Sequence, residues 1–403
     1  MFGAMIEGVA ARGYEATSVA QLCRLAGVSK RTFYEQFNNK DACLFAASER
    51  IMRCASARIE AAQRTEPDWE SGMRAGMRAL VQGVADERHA VGLVLFALES
   101  PGARVAVRED RARLELERMV GQGFDGVPCG AALPPVLVKA LAGGVERVVR
   151  QSLLDGRTGE ASTLAGELAE WVLSFGSPAY FSLEGIGSAR LEPEVPSWSP
   201  VGPRVGSTGA RILRGAGEVV AQVGYSRLSA GRIARVAGLR EDEVWAAYES
   251  MQECFLDALD LVGFEALLSA VKASRGDGDS LAGVYRGIRA LMERVAGDPA
   301  LRAVLFEECS GVGPAGLERR ERLLRACTEL LAKAVAPLCA PSEVALEASA
   351  GAVWSVVHHH VLHDSAHLLP GLAAYMAYAA LAPLVGPAAA VEVLVRGGNR
   401  VGC

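Results

Sequence analysis

Lys30, Arg31, Thr32, Tyr34 and Gln36 make a run of hydrogen-bond donors directly behind a serine, Ser29, of the kind that caps a helix. With 3.6 residues per turn, Phe33 and Phe37 fall on one face of such a helix and the donors on the other. A helix N-terminus already attracts anions through its unpaired amides and its dipole. Two cations in the first turn strengthen that field. The chemistry on offer is recognition of a polyanion, by side chains long enough to reach base edges in a DNA major groove.

A second group of reactive side chains is His358, His359, His360, His363 and His367. The pairs His359/His363 and His363/His367 have the i, i+4 spacing that can chelate a divalent cation. Asp364-Ser365 reads as a helix end and a new cap, which separates the second pair, and no cysteine lies near in sequence. The expectation is a polar stripe at an interface between repeats, with no metal. No phosphate loop, no G-x-S-x-G elbow and no H-E-x-x-H occurs, so neither a cofactor nor an enzymatic activity is expected. Gly-rich stretches such as Gly121-Gln122-Gly123 read as loops.

The donors need an element to hold them. Ser18 is a good cap for a helix running to about Ala26, with Val19, Leu22, Cys23 and Ala26 on its buried face. Gly27 allows the left-handed turn that ends it. Val28 before the Ser29 cap and Phe33 after it form a hydrophobic staple. Lys40 begins the following helix. The whole reads as a helix–turn–helix.

The string Arg12-Gly13-Tyr14, Thr17-Ser18-Val19, Ala26-Gly27-Val28-Ser29-Lys30, Thr32-Phe33-Tyr34, Phe37 and Lys40 resembles the DNA-binding segment of the TetR family of bacterial regulators. The resemblance implies that Thr17 or Ser18, Ser29, Thr32, Tyr34 and Lys40 hold phosphates, and that Lys30 and Arg31 read bases. Arg31 stands where the family often has Gly, and Gln36 where it often has His; both keep hydrogen-bonding capacity. Met1 falls inside the first helix, so the basic arm that often precedes it is missing, and either contacts are lost or the start lies upstream.

The same pattern returns 211 residues later, without a gap from Glu7 to Ala47, in pairs such as Gly13/Gly224, Tyr14/Tyr225, Ala26/Ala237, Gly27/Gly238 and Cys43/Cys254. Its chemistry is inverted. Ser229 is expected to cap, but Lys30, Arg31 and Thr32 give way to Glu241, Asp242 and Glu243, and Lys40 to Met251. Acids in a first turn suit the helix dipole but repel phosphates. Residues 1 to 64 carry nine Lys plus Arg and six Asp plus Glu, whereas 209 to 262 carry six and eight. DNA reading is therefore expected from the first copy; Arg232, Arg235 and Arg240 of the second could add weak phosphate contact.

Helical spacing dominates elsewhere, and no period-2 strand is convincing, so the fold class is all-α. The pattern predicts a tandem duplication. Its parts are a helix–turn–helix over 1–46, a helical effector and dimerisation domain over 47–180, a Pro/Gly-rich linker over 181–208, a degenerate helix–turn–helix over 209–258 and a second effector domain over 259–395. In the resembled family the last two helices form a four-helix bundle with those of a second subunit. Here Leu141–Leu154 with Leu164–Phe175, and Val344–Leu362 with Leu372–Leu384, supply both pairs. The expectation is an intrachain pseudo-dimer; a homodimer is the alternative.

At 403 residues and a net charge of −5, the chain has no general affinity for nucleic acid, so any contact needs a local basic patch. Nine cysteines, an odd number without paired spacing, fit reduced thiols and a cytoplasmic location. Apolar runs such as Val91–Leu98 fall far short of a membrane span, and no membrane partner is expected. The expected partners are a double-stranded DNA operator and an unidentified small-molecule effector, for which Trp69, Phe96, Glu99 and Trp354 are candidate contacts. The function expected is a ligand-responsive transcription regulator, a repressor; the alternative is a sensor or interaction protein that binds no DNA.

Overall fold

The structure, a computed structural model, describes residues 1–97, 106–127, 132–156, 161–183, 208–275 and 280–399. Among these residues every regular element is helical, as the all-α reading requires. They form two compact units, Met1–Pro178 with Ser342–Ala352, and Ala179–Pro341 with Val353–Cys403.

The first unit opens with α1 (Phe2–Arg12), α2 (Val19–Ala26), α3 (Lys30–Gln36) and the long α4 (Lys40–Arg64). Met5, Tyr14, Leu22, Phe33 and Leu44 make one small core between them, and Leu93 closes it from below. The 25 residues of α4 carry the chain from this head into the body. There α5 (Trp69–Asp86), α6 (Arg88–Gly92), a π-helical turn (Leu93–Ala97), α7 (Ala106–Gly123), α8 (Pro135–Leu154) and α9 (Ala161–Leu173) follow. Gly121-Gln122-Gly123 is the last turn of α7, not a loop. The 342–352 segment packs into this unit. Its Ser349 hydroxyl accepts a hydrogen bond from the Trp171 indole at 3.1 Å, with both groups buried. A Cβ at Gly144 would overlap the Trp171 ring and approach the Ala348 carbonyl at 2.7 Å, so the backbone approach there needs glycine.

The second unit repeats the order. It holds α10 (Thr208–Val223), α11 (Ala230–Ala237), α12 (Glu241–Ala247), α13 (Met251–Ser274), α14 (Ser280–Gly297), α15 (Pro299–Arg302), a π-helical turn (Ala303–Glu307) and α16 (Pro314–Val335). From residue 353 on it also takes α17 (Glu343–Leu362), then α18 (Ala373–Val385) and α19 (Pro387–Asn399). α2, α3 and α5 recur as α11, α12 and α14, each 211 positions later, and the π-helical turn recurs 210 later. Buried Glu265 of α13 pairs with Arg214 of α10 at 3.5 Å and Arg294 of α14 at 3.2 Å. The first unit has Cys54, Gly3 and Gly83 at the matching positions and so lacks this brace.

Of the expected linker 181–208, residues 181–183 close a 3₁₀ helix that begins at Pro178 and buries Tyr180 and Leu183; residues 184–207 lie outside the described residues. Ser229 occupies the cap position but its side chain makes no cap hydrogen bond. The stretch Ala366–Val385 is long and apolar enough to cross a membrane by length and composition. Met376, Ala377, Tyr378 and Leu381 in it are fully buried within the second unit, where they form the centre of its core.

Candidate nucleic-acid interface

The head presents α3 on a frame of capped helices. Ser18 and Gln21 cap α2 reciprocally: the Ser18 hydroxyl accepts the Gln21 amide at 3.3 Å, and the Gln21 side chain accepts the Ser18 amide at 2.8 Å. Gly27 ends α2 at φ 65°, a left-handed conformation that glycine takes without strain. Ser29 then accepts the Thr32 amide at 3.0 Å and starts α3. Phe33 is fully buried and meets Phe37 at 5.6 Å between ring centroids, which fixes the rotation of α3 about its axis.

That rotation leaves Lys30, Arg31, Thr32, Tyr34 and Gln36 exposed together on the outer side. Arg31 donates from Nε to Glu35 at 3.1 Å. The Thr32 hydroxyl lies 3.0 Å from that of Ser29. Ser18 is exposed, but Thr17 is buried and its hydroxyl donates to the Gly13 carbonyl at 2.8 Å. Of the two hydroxyls, Ser18 alone faces solvent.

Lys40 is held in a way that spacing could not foretell. Its ammonium donates to the Tyr14 carbonyl at 2.9 Å and sits 4.0 Å above the Tyr14 ring. The Tyr14 hydroxyl donates to Asp41. Burial, and then this hydrogen bond, push the Tyr14 hydroxyl far above its ordinary pKa. Asn39 caps α4 by accepting the Ala42 amide at 2.8 Å. Tyr14, Asp41, Asn39 and Glu35 thus belong to the site although donor spacing did not single them out. The Gly13-Tyr14 pair in the motif was the one available signal.

In the second unit the same frame carries other chemistry. Gly238 ends α11 at φ 63°, and Val244 is fully buried where Phe33 is in the first. Arg240 stands in the place of Ser29 and has no acceptor to cap with. Instead Glu243 reaches back to accept the Arg240 amide at 2.8 Å, and the Arg240 guanidinium pairs with Asp242. Arg232 donates to the Arg227 carbonyl at 3.0 Å. Trp245 is exposed at the position of Tyr34.

The histidines end α17. The helix stops at Leu362, Asp364 takes a positive φ of 53°, and the Ser365 hydroxyl binds the His360 ring at 2.8 Å. His363 Nδ1 meets the His359 carbonyl at 2.8 Å and the two rings stack at 4.1 Å. Among the described residues no three His, Cys, Asp or Glu gather as a metal would need. Of the effector candidates, Trp69 donates to the Gly123 carbonyl at 2.8 Å on the wall of an open cleft of about 390 Å³ between α4, α5 and α7. Trp354 stacks on Phe306 at 4.7 Å. Glu99 and the Phe96 side chain lie outside the described residues.

Two short helices around a glycine turn, with capped, outward-facing donors, define a helix–turn–helix of the DNA-binding class. Residues 7–47 match the family model of bacterial regulatory proteins, tetR family. The head of this chain is a TetR-type DNA-binding domain. Among solved structures, the fatty acid degradation regulator FadR from Bacillus halodurans aligns at 17% identity and a TM-score of 0.38, covering 43% of this chain and 95% of its own. The transcriptional regulator FadR from Bacillus subtilis, in complex with stearoyl-CoA, aligns at 16% identity and 0.39, covering 43% and 96%. No curated protein sequence matches the chain.

Proposed function

We propose that the chain is a cytoplasmic transcription repressor that reads an operator through its first helix–turn–helix. The observation that carries the reading is the outer side of α3, where Lys30, Arg31, Thr32, Tyr34 and Gln36 stand exposed while Phe33 is locked in the core. In this assignment Lys30, Arg31 and Gln36 face base edges, and Ser18, Ser29, Thr32, Tyr34 and Lys40 face phosphates. Thr17 supports the turn from inside. Selection from a randomised duplex library with the full chain tests it. Arg31→Ala is expected to cost about 1–3 kcal/mol at the selected site and to relax one base position. Lys40→Ala weakens all sequences alike and lowers the salt slope by about 1. Unchanged affinity in both variants would sink the assignment.

The chain is further read as a tandem duplication that folds as its own pseudo-dimer. The recurrence of elements at a constant offset supports this, as does the buried Trp171–Ser349 bond between residues from opposite halves of the sequence. Light scattering is expected to give a mass near the single-chain 42.4 kDa. A stable mass of twice that on a palindromic site would overturn it, because half-site symmetry mirrors protein symmetry. A small effector is assigned to the body domains, with the cleft beside Trp69, Gln63, Met73 and Met119 as one place for it. Its binding would shift the population between DNA-competent and incompetent forms. The acids at 241–243 favour a second reading, a ligand sensor that binds no DNA; a library selection that enriches no site would support it.

A further inference from the structure

One contact on α3 belongs to no role assigned so far. Arg31 donates from Nε to Glu35 at 3.1 Å, one helical turn along. The two side chains are 90% and 58% exposed, so neither packs against anything that keeps the head folded. An exposed pair of this kind contributes little stability, and its consequence is geometric. A guanidinium carries five donors in one planar fork. With Nε on Glu35, Nη1 and Nη2 remain as an end-on pair, a shape that matches O6 and N7 of guanine. A free Arg31 could instead turn to a phosphate, a contact that carries no sequence information.

The charge of Glu35 argues the same way. A carboxylate on the outer side of a DNA-reading helix opposes affinity for phosphates. A group that lowers general affinity while holding a base reader raises the difference between right and wrong sites. The second copy offers an internal comparison. Where Asp242 replaces Arg31, Ala246 replaces Glu35, so the carboxylate is absent where there is no arginine to hold.

We propose that Glu35 is a positioning residue that holds Arg31 for guanine and so sets the sequence discrimination of the site. The proposal rests on the reading that α3 enters a major groove. The test uses the full chain and a duplex selected from a random library, then every single-base-pair variant of it in competition. Glu35→Ala is expected to lower discrimination at one G·C pair by about tenfold and to raise affinity for unrelated DNA, with the melting temperature unchanged. Glu35→Gln keeps an acceptor for Nε without the charge. It is expected to raise affinity for unrelated DNA as Ala does but to retain most of the discrimination. Wild-type discrimination in Glu35→Ala would overturn the proposal, and so would an equal fall in both variants. If the wild-type chain selects no site, the reading and the proposal fail together. If it selects a site whose discrimination ignores Glu35, only the proposal fails.

Discussion

The two helix–turn–helix units of this chain share a scaffold and differ in what they show to solvent. Both turn at a glycine in the left-handed region, Gly27 and Gly238, and both bury one apolar side chain from the second helix, Phe33 and Val244. Both bury a cysteine at the start of the long helix that follows, and burial pushes the Cys43 thiol up to about 11 and that of Cys254 to about 12. The outer side diverges: cations and hydroxyls in one, acids and a tryptophan in the other. The difference teaches that packing and recognition are carried by separate residues, so one can be rewritten while the other stays. The second unit also carries a buried, ion-paired carboxylate at a position where the first has Cys54. Glu265 joins α10, α13 and α14 through two arginines, and the first unit has no equivalent brace.

The comparison can be broken at several points. The largest effect is expected in the core. Phe33→Ala should cost about 3–5 kcal/mol of head stability, and Val244→Ala about 2 kcal/mol, in proportion to the smaller group removed. Urea denaturation followed by hydrogen exchange in α3 and α12 separates the two; equal losses would show that the heads are not packed alike. Next comes the outer side. Replacing Lys30, Arg31 and Thr32 by Glu, Asp and Glu should leave the melting temperature nearly unchanged and weaken operator binding by about a hundredfold or more, near 3 kcal/mol. Retained binding would mean that the first α3 is not the reader.

Caps give a finer test. Ser29→Ala removes a made hydrogen bond and should cost about 1 kcal/mol, whereas Ser229→Ala removes none and should cost almost nothing. A large loss at Ser229 in thermal melts would contradict its unbonded side chain. The smallest expected effect is a pH dependence. The Tyr14 pKa is raised by burial and by Asp41, that of Tyr225 by burial. A raised value means that the folded state holds the proton more tightly than the unfolded chain does. The contribution is therefore complete below pH ~10 and is lost as the pH climbs toward the folded value. Above pH ~10, Tyr14→Phe should flatten the fall in melting temperature more than Tyr225→Phe does. The reverse order would show that the Asp41 contact does not form in solution.

Much of the head was legible because its information is local. Caps, a glycine turn and a 3.6-residue apolar face each lie within a few residues, and they predicted α2, α3 and the outward donors at their observed places. The inverted charge of α12 was legible for the same reason. The helices α8, α9, α17 and α18 were legible from their long apolar periodicity, whereas α19, which follows the pair expected to end the chain, was not singled out. The error at Gly121-Gln122-Gly123 arose because glycine propensity is a weak prior.

By itself, the sequence determined which residues carry charge, where α2, α3 and the helices α8, α9, α17 and α18 form, and that one pattern recurs 211 residues on. Only the tertiary structure decided that Thr17 turns inward while Ser18 faces solvent, and that Lys40 rests on Tyr14, 26 positions away in the chain. The joining of Trp171 to Ser349, 178 positions apart, is of the same kind. These contacts depend on how helices cross, and a crossing is set by the summed shape of many side chains rather than by any local pattern.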